Sequence, residues 1–312
     1  MTTTTAVTEP RNVHAEMQRS LIDAPSNDRS DCPDFVLTFS CTDRIGIVHA
    51  ISGFLSSHGC NIRDSAQFSD SRVGRLFMRV SFHAPGLSLE DIQSAFSPVG
   101  TSFGMSWEFH DCNSKPRLLI MVSKTGHCLN DLLFRYATGT LEVAIPLIVS
   151  NHRDFHRLAA SYDIPFHHMP VSADTKTAEE AKLLELVEQE RIDLIVLARY
   201  MQVLSDNLCQ KMFGKIINIH HSFLPSFKGA KPYHQAHSRG VKLIGATAHY
   251  VTAALDEGPI IEQDVLRVDH SLTPDDLSAV GRDVEAAVLA RAVKLHTENR
   301  ILMNGDRTVI FR

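Results

Sequence analysis

The chain has 312 residues, 44% of them hydrophobic and 21% charged, and 31 lysines and arginines against 36 aspartates and glutamates give a net charge of −5. This composition excludes a wholly disordered, collagen-like or coiled-coil chain, and the acidic balance offers no basic footprint for nucleic acid. The longest apolar runs, such as LLIMV at 118–122 and LIVLA at 194–198, fall far short of the ~18 residues of a membrane span. At roughly 150 residues per domain, the length suggests two domains. Six scattered cysteines without a CxxC pair read as reduced thiols, which points to a cytoplasmic setting.

Residues 1–33 read as a disordered tail. They open on TTTT, mix Pro10, Pro25 and Pro33 with Asn, Ser and Asp, and contain no apolar secretory segment. From residue 34 the pattern changes. FVLTFS (35–40) is rich in strand formers, and IGIVHAISGFLSSHG (45–59) spaces Ile47, Ile51, Phe54 and Leu55 as a helix face. NIRDSAQFSD (61–70) and GRLFMRVSFH (74–83) read as strands around a turn, LSLEDIQSAFSPVG (87–100) as a helix, and MSWEFH (105–110) as a strand. The order β-α-β-β-α-β over 34–111 is the ferredoxin-like arrangement.

After a polar linker at 112–116 the chain alternates strand and helix. Strands are expected at 117–123, 142–150, 193–199, 215–219 and 242–251, and helices at 127–137, 177–191 and 275–300. Near-continuous apolar strands between amphipathic helices predict an α/β domain over 117–312, a doubly wound, mostly parallel sheet covered on both faces. Asn304-Gly305, between two strand-like runs, predicts a closing hairpin.

In such a sheet, ligands bind beyond the carboxyl ends of the strands. KIINI runs into NIHHSFLPSFKGAKPYHQA (218–236), and KLIGATAHYV runs into TAALDEGPI (252–260). Together these exits bring Asn218, His220, His221, Ser222, His249 and Asp256 within reach of one another. An amide, an imidazole and a carboxylate suit the attack of water on a carbonyl. Plainer readings stand beside this one. Asn218 can simply end its strand, and Asp256 can form a turn in LDEGP. Ser222 lacks the GxSxG context of a nucleophile. His220 and His221 form a poor metal pair, because neighbours on a strand point to opposite faces.

The stretch from Asn218 to Ile260 resembles the folate-dependent formyltransferase family. It carries N-I-H-x-S-x-L-P and the later L-D-x-G-P. The HH doublet, SFKGA, PYHQA, GATAHYV and the earlier LARYMQVLS (197–205) are similar to the 10-formyltetrahydrofolate deformylase branch of that family. CTDRIGIVHAISGFLSSHGCNIRDSAQF (41–68) resembles an ACT domain, which that branch carries and the small purine-pathway transferase lacks. The resemblance spans roughly residues 33–312.

The resemblance implies hydrolysis of 10-formyltetrahydrofolate to tetrahydrofolate and formate. Asn218, His220 and Asp256 are the implied catalytic set, and no metal and no cofactor are required. Asp256 would orient and deprotonate water, His220 would stabilise the oxyanion or carry the proton to the leaving nitrogen, and Asn218 would donate to the formyl oxygen. The implied folate pocket comprises Arg199, Met201, Gln202, Val203 and Leu204, then Val251 to Leu255, with His221, Ser222 and His249 beside the substrate. The alternative is transfer of the formyl group to an amine. In the purine transferase a glycine-rich loop at the first strand's exit holds the acceptor's phosphate. Here SKTGHCLND (123–131) keeps only Gly126, although Lys124 remains as a cation. Lys231 replaces an expected smaller polar residue. At the ACT domain, Asp43, Gly46, Ile47, Asn61 and Ile62 are the implied positions for an amino-acid effector such as glycine or methionine. Alternatively, that domain only pairs subunits in a homo-oligomer, with a dimer of dimers expected. The freed tetrahydrofolate would serve glycine and purine balance, or the reaction would clear formyl groups.

Overall fold

The structure, a computed structural model, describes residues 34–225 and 232–312. The expected tail at 1–33 lies outside these residues, as does Lys231. The first half contains β1 (Phe35–Thr42), α1 (Ile47–Ser57), β2 (Asn61–Asp70), β3 (Arg75–His83), α2 (Leu89–Phe103) and β4 (Ser106–Asp111). The four strands form an antiparallel sheet in the order β2-β3-β1-β4, the ferredoxin-like topology. α1 and α2 cover one face, where Ile51, Leu55, Ile92 and Phe96 pack on Leu37, Phe39, Val80 and Phe82. α2 starts with a reciprocal cap: the Ser88 hydroxyl accepts from Asp91 N–H, and the Asp91 carboxylate accepts from Ser88 N–H.

The second half adds β5 (Arg117–Val122), α3 (His127–Ala137), β6 (Ala144–Ser150), α4 (His156–Ala160), β7 (Phe166–His168), α5 (Lys176–Gln189), β8 (Leu194–Leu197), α6 (Asp206–Lys211) and β9 (Ile216–His220). Then come α7 (Pro232–Ser238), β10 (Leu243–Tyr250), β11 (Ile260–Arg267), α8 (Pro274–Thr297), β12 (Ile301–Asn304) and β13 (Arg307–Ile310). Seven strands form one sheet in the order β11-β10-β9-β8-β5-β6-β7. The sheet is parallel from β7 to β9, and β10 runs antiparallel to both of its neighbours, β9 and β11. β11 is absent from the sequence expectation, because IIEQDVLR breaks its apolar run with three polar residues that suit an edge strand.

Alternation along the strands divides two cores. Ile217 and Ile219 join α3 and α8 on one face, whereas Ile216 joins α5 and α6 on the other. The predicted hairpin exists as β12–β13, but it packs against the first sheet. Val309 and Phe311 bury Phe77 on the face of β3 opposite α1 and α2.

Candidate active site

β9 presents Asn218 and His220 on one face, two residues apart. The antiparallel partner β10 sets His249 directly opposite Asn218 and Thr247 opposite His220. The loop from β10 to β11 then returns Asp256 over this pair. Asp256 has a left-handed backbone at φ 55°, a conformation that only short polar side chains and glycine take readily. Gly258 follows because a Cβ there would lie 1.7 Å from the Tyr250 carbonyl oxygen. LDEGP is therefore both a turn and a means of delivering a carboxylate.

Asp256 Oδ2 lies 3.3 Å from His220 Nδ1, and its Oδ1 lies 3.7 Å from His249 Nε2. The hydrogen bond from His220, aided by His249, holds the Asp256 carboxyl well below the usual carboxylate range. His249 Nδ1 lies 2.9 Å from the Tyr250 carbonyl, which can only accept, so Nδ1 carries a proton. Nε2 of the same ring lies 3.2 Å from Asn218 Nδ2. This orients the amide and leaves its second N–H available. His220 Nε2 is buried with no hydrogen-bond partner among the described residues.

His221 and His220 do not point apart as neighbours on a strand would. β9 ends at His220, the pleat stops, and the two rings stack with centroids 5.2 Å apart at 27°. Thr247 fixes the chain just beyond: its hydroxyl donates to the Ser222 carbonyl at 2.9 Å and accepts from Leu224 N–H at 3.0 Å. Ser222 is buried and shapes this loop.

The expected folate-pocket residues divide. Met201, Val203 and Leu255 are exposed, and Gln202 and Val203 line a crevice with Lys176 and Glu180. Leu204 lines the same crevice and also packs in the core cluster of Met169 and Leu208, with Val251 against that cluster. The Arg199 side chain turns inward, 3.4 Å from the buried Glu285 carboxylate of α8, and hydrogen-bonds His221 Nδ1. Its backbone is left-handed at φ 63°, and its carbonyl accepts from Ser123 N–H at the end of β5. The Ser123 hydroxyl in turn accepts from Met201 N–H at 3.0 Å and donates to Asn151.

Glu285, His127 and Tyr233 are absent from the sequence-based site. His127 Nε2 lies 2.8 Å from Glu285 Oε2, and the Tyr233 hydroxyl donates to Oε1 at 2.6 Å. Burial raises the Glu285 carboxyl, but His127, Arg199 and Tyr233 outweigh it and hold it below its ordinary value. The available signal was a glutamate within the apolar stripe of α8, between Gly281 and Leu289. His127, Cys128 and Glu285 also lie close enough together to ligate a metal. However, both Glu285 oxygens already serve donors, and burial pushes the Cys128 thiol far up, away from the thiolate a metal prefers.

The formyl transferase family matches residues 116–293, and the ACT domain matches residues 35–91. A formyltetrahydrofolate deformylase of Corynebacterium sp. (strain P-1) is 54% identical over 280 residues, covering 89% of this chain and 98% of that protein. The chain belongs to the formyltetrahydrofolate deformylase family of hydrolases. A solved deformylase structure from Burkholderia mallei shares 54% identity at TM-score 0.86, covering 89% of this chain and 99% of that one. A glycinamide ribonucleotide transformylase of Symbiobacterium toebii aligns at 30% identity and TM-score 0.60, covering 64% of this chain and 95% of its own. The deformylase family thus accounts for both halves of the chain, whereas the transformylase reaches only part of it.

At the ACT domain, Gly46 precedes α1 at φ 96° and leaves the helix without a side-chain cap. The Ile47 side chain lies in the core at 2% exposure, so only its backbone faces this turn. Asn61 and Ile62 are exposed on the edge strand β2, and the Asp43 carboxylate accepts from the Ser69 hydroxyl. The five described cysteines are unbridged, and no described helix is long and apolar enough to cross a membrane.

Proposed function

We propose that the chain hydrolyses 10-formyltetrahydrofolate to tetrahydrofolate and formate through Asn218, His220 and Asp256, with no resident metal. The observation that carries the mechanism is the buried Nε2 of His220, which has no hydrogen-bond partner among the described residues and whose other ring nitrogen is committed to Asp256. Asp256 accepts from His220 Nδ1–H, and in the neutral form of that ring Nε2 carries the lone pair that can take a proton.

The residues divide the work accordingly. Asp256 stays ionised far into acid and is a weak base, so it orients the ring and the water without keeping the proton. His220 Nε2 takes one proton from water, and the hydroxide oxygen bonds to the formyl carbon. The carbonyl electrons move onto oxygen, where the free N–H of Asn218 donates to the developing charge. His220 then returns its proton to the folate nitrogen as the carbon–nitrogen bond breaks, releasing tetrahydrofolate and formic acid, which ionises to formate. Removing one such oxyanion donor costs about 2.7–4 kcal/mol of barrier. Folate would lie along the exposed segment Met201–Val203 and the loop to Leu255.

An amino-acid effector, glycine or methionine, at the turn before α1 and assembly as a dimer of dimers belong to the same reading. The uncapped start of α1 supports it. Release of tetrahydrofolate would feed one-carbon and purine metabolism.

The test is formate release from purified protein and 10-formyltetrahydrofolate with no amine added. Stoichiometric formate and tetrahydrofolate support hydrolysis. Tight folate binding without formate would sink the proposal in favour of transfer to an amine.

A further inference from the structure

The two histidines of the doublet sit in opposed environments. His220 faces a carboxylate, and His221 faces a guanidinium. Arginine can only donate, so His221 Nδ1 must be the acceptor. That places the remaining proton on Nε2 and leaves the ring uncharged. Arg199 reaches this position because Glu285 pairs with it from α8, while Glu285 is itself held by Tyr233 of α7 and His127 of α3.

We propose that Arg199 and Glu285 are positioning residues that fix His221 as a neutral imidazole with its proton on Nε2, so that His220 alone of the doublet takes up the proton of the reaction. The inference rests on the reading of His220 as the group that exchanges a proton with water and folate.

The stacking geometry supplies the reason for such a device. The two rings lie 5.2 Å apart and nearly parallel. A charge on His221 would oppose a charge on His220 at the moment His220 accepts a proton. The guanidinium blocks that charge by occupying the His221 lone pair. Its own charge is balanced by Glu285, so it does not fall on His220. The groups facing His221 are Arg199 from the β8 exit, His220 of β9, Tyr233 of α7, Asp256 from the loop after β10, and Glu285 of α8 behind Arg199. Burial and then Arg199 push the His221 imidazole down to about 4, in agreement with the hydrogen-bond argument.

The test uses the full-length protein labelled with nitrogen-15 at histidine. His221 should show the neutral tautomer with its proton on Nε2 across about pH 5 to 8. A His221 that titrates in that range, or carries its proton on Nδ1, would overturn the proposal without any variant. Arg199→Met should free His221 to protonate. Its kcat should then fall about ten- to a hundredfold at the acid end, the scale for losing a residue that orients another. It should fall much less at the alkaline end, with KM little changed. Adding His221→Gln, which cannot titrate, should remove the extra acid loss. A uniform loss at every pH in Arg199→Met, or no relief from His221→Gln, would leave Arg199 a structural residue only. The nitrogen-15 signals do not depend on turnover, so they separate failure of this proposal from failure of the hydrolase reading.

Discussion

Asp256 combines a left-handed backbone with a carboxylate held between two imidazoles. Few side chains tolerate that backbone, but Asn is among them, so Asp256→Asn isolates the charge from the fold. The variant should bind folate normally and lose about 10²–10⁴-fold in kcat, the scale of a lost acid–base function. Formate release beside an equilibrium binding titration checks this, and normal turnover would refute the role given to Asp256. Because its carboxyl stays ionised below the ordinary range, a loss of activity on mild acidification is not the titration of Asp256. At this scale the sequence was informative where chemistry coincides with a strand's end. Asn218, His220, His249 and Asp256 all follow from reading strand exits, and the structure brings these four together. The Glu285 network was not legible. It joins α3, α7, α8 and the β8 exit, four segments whose mutual placement no local pattern encodes.

The long helix α8 is the element that joins the network to the rest of the fold, and its sequence shows two competing pressures. It opens with the Thr273–Asp276 capping box, and Gly281 lies in its interior. An interior glycine normally costs a helix about 1 kcal/mol relative to alanine. Here a Cβ would lie 2.2 Å from the Tyr233 hydroxyl oxygen, on the residue that donates to Glu285. Gly281→Ala should therefore destabilise by about 1–3 kcal/mol, the range for overpacking, against the propensity trend. A melting temperature that rises would contradict this. Near the C-terminal end of α8, His296 meets the Tyr250 hydroxyl at 2.7 Å, and burial lowers its imidazole to about 4, as it does for His221. The unfolded chain protonates both near 6.5, so between about 6.5 and 4 it binds more protons than the fold. Stability is thus full above about 6.5 and falls with pH, by about 2 kcal/mol per histidine at pH 5. Denaturant midpoints at pH 7 and pH 5 measure the loss, and His296→Gln should remove about half of it. Most helices and strands were legible from periodicity, because each buries one stripe or one face. Short elements such as β7 and α6 were not, since three to six residues complete fewer than two periods.

At the scale of the whole molecule, one buried arginine connects the ACT sheet to the helix that carries Glu285. Arg79 leaves β3 on the face opposite the ACT helices. It donates at 3.1 Å to the carbonyls of Glu298 and Asn299, just past the end of α8, and pairs with Asp64 at 3.2 Å. Carbonyls at a helix end lack intrahelical partners and carry the negative end of its dipole, so a cation there satisfies both. The contact is continued by the hairpin, where Asp70 accepts from Asn304 and pairs with Arg307, and by Phe77 under Val309 and Phe311. A hairpin late in the chain thus covers the sheet of the first half, and the two halves share one buried seam. Arg79→Met keeps the apolar stem but leaves two carbonyls without their donor. The expected cost is about 1–3 kcal/mol per group left unsatisfied. The seam should weaken before either core, since each half has its own. Calorimetry should therefore show one transition for the native chain and two for the variant, with the lower one lost on removal of residues 301–312. A variant that still unfolds in one step at an unchanged temperature would show that Phe77 and the hairpin hold the seam without Arg79.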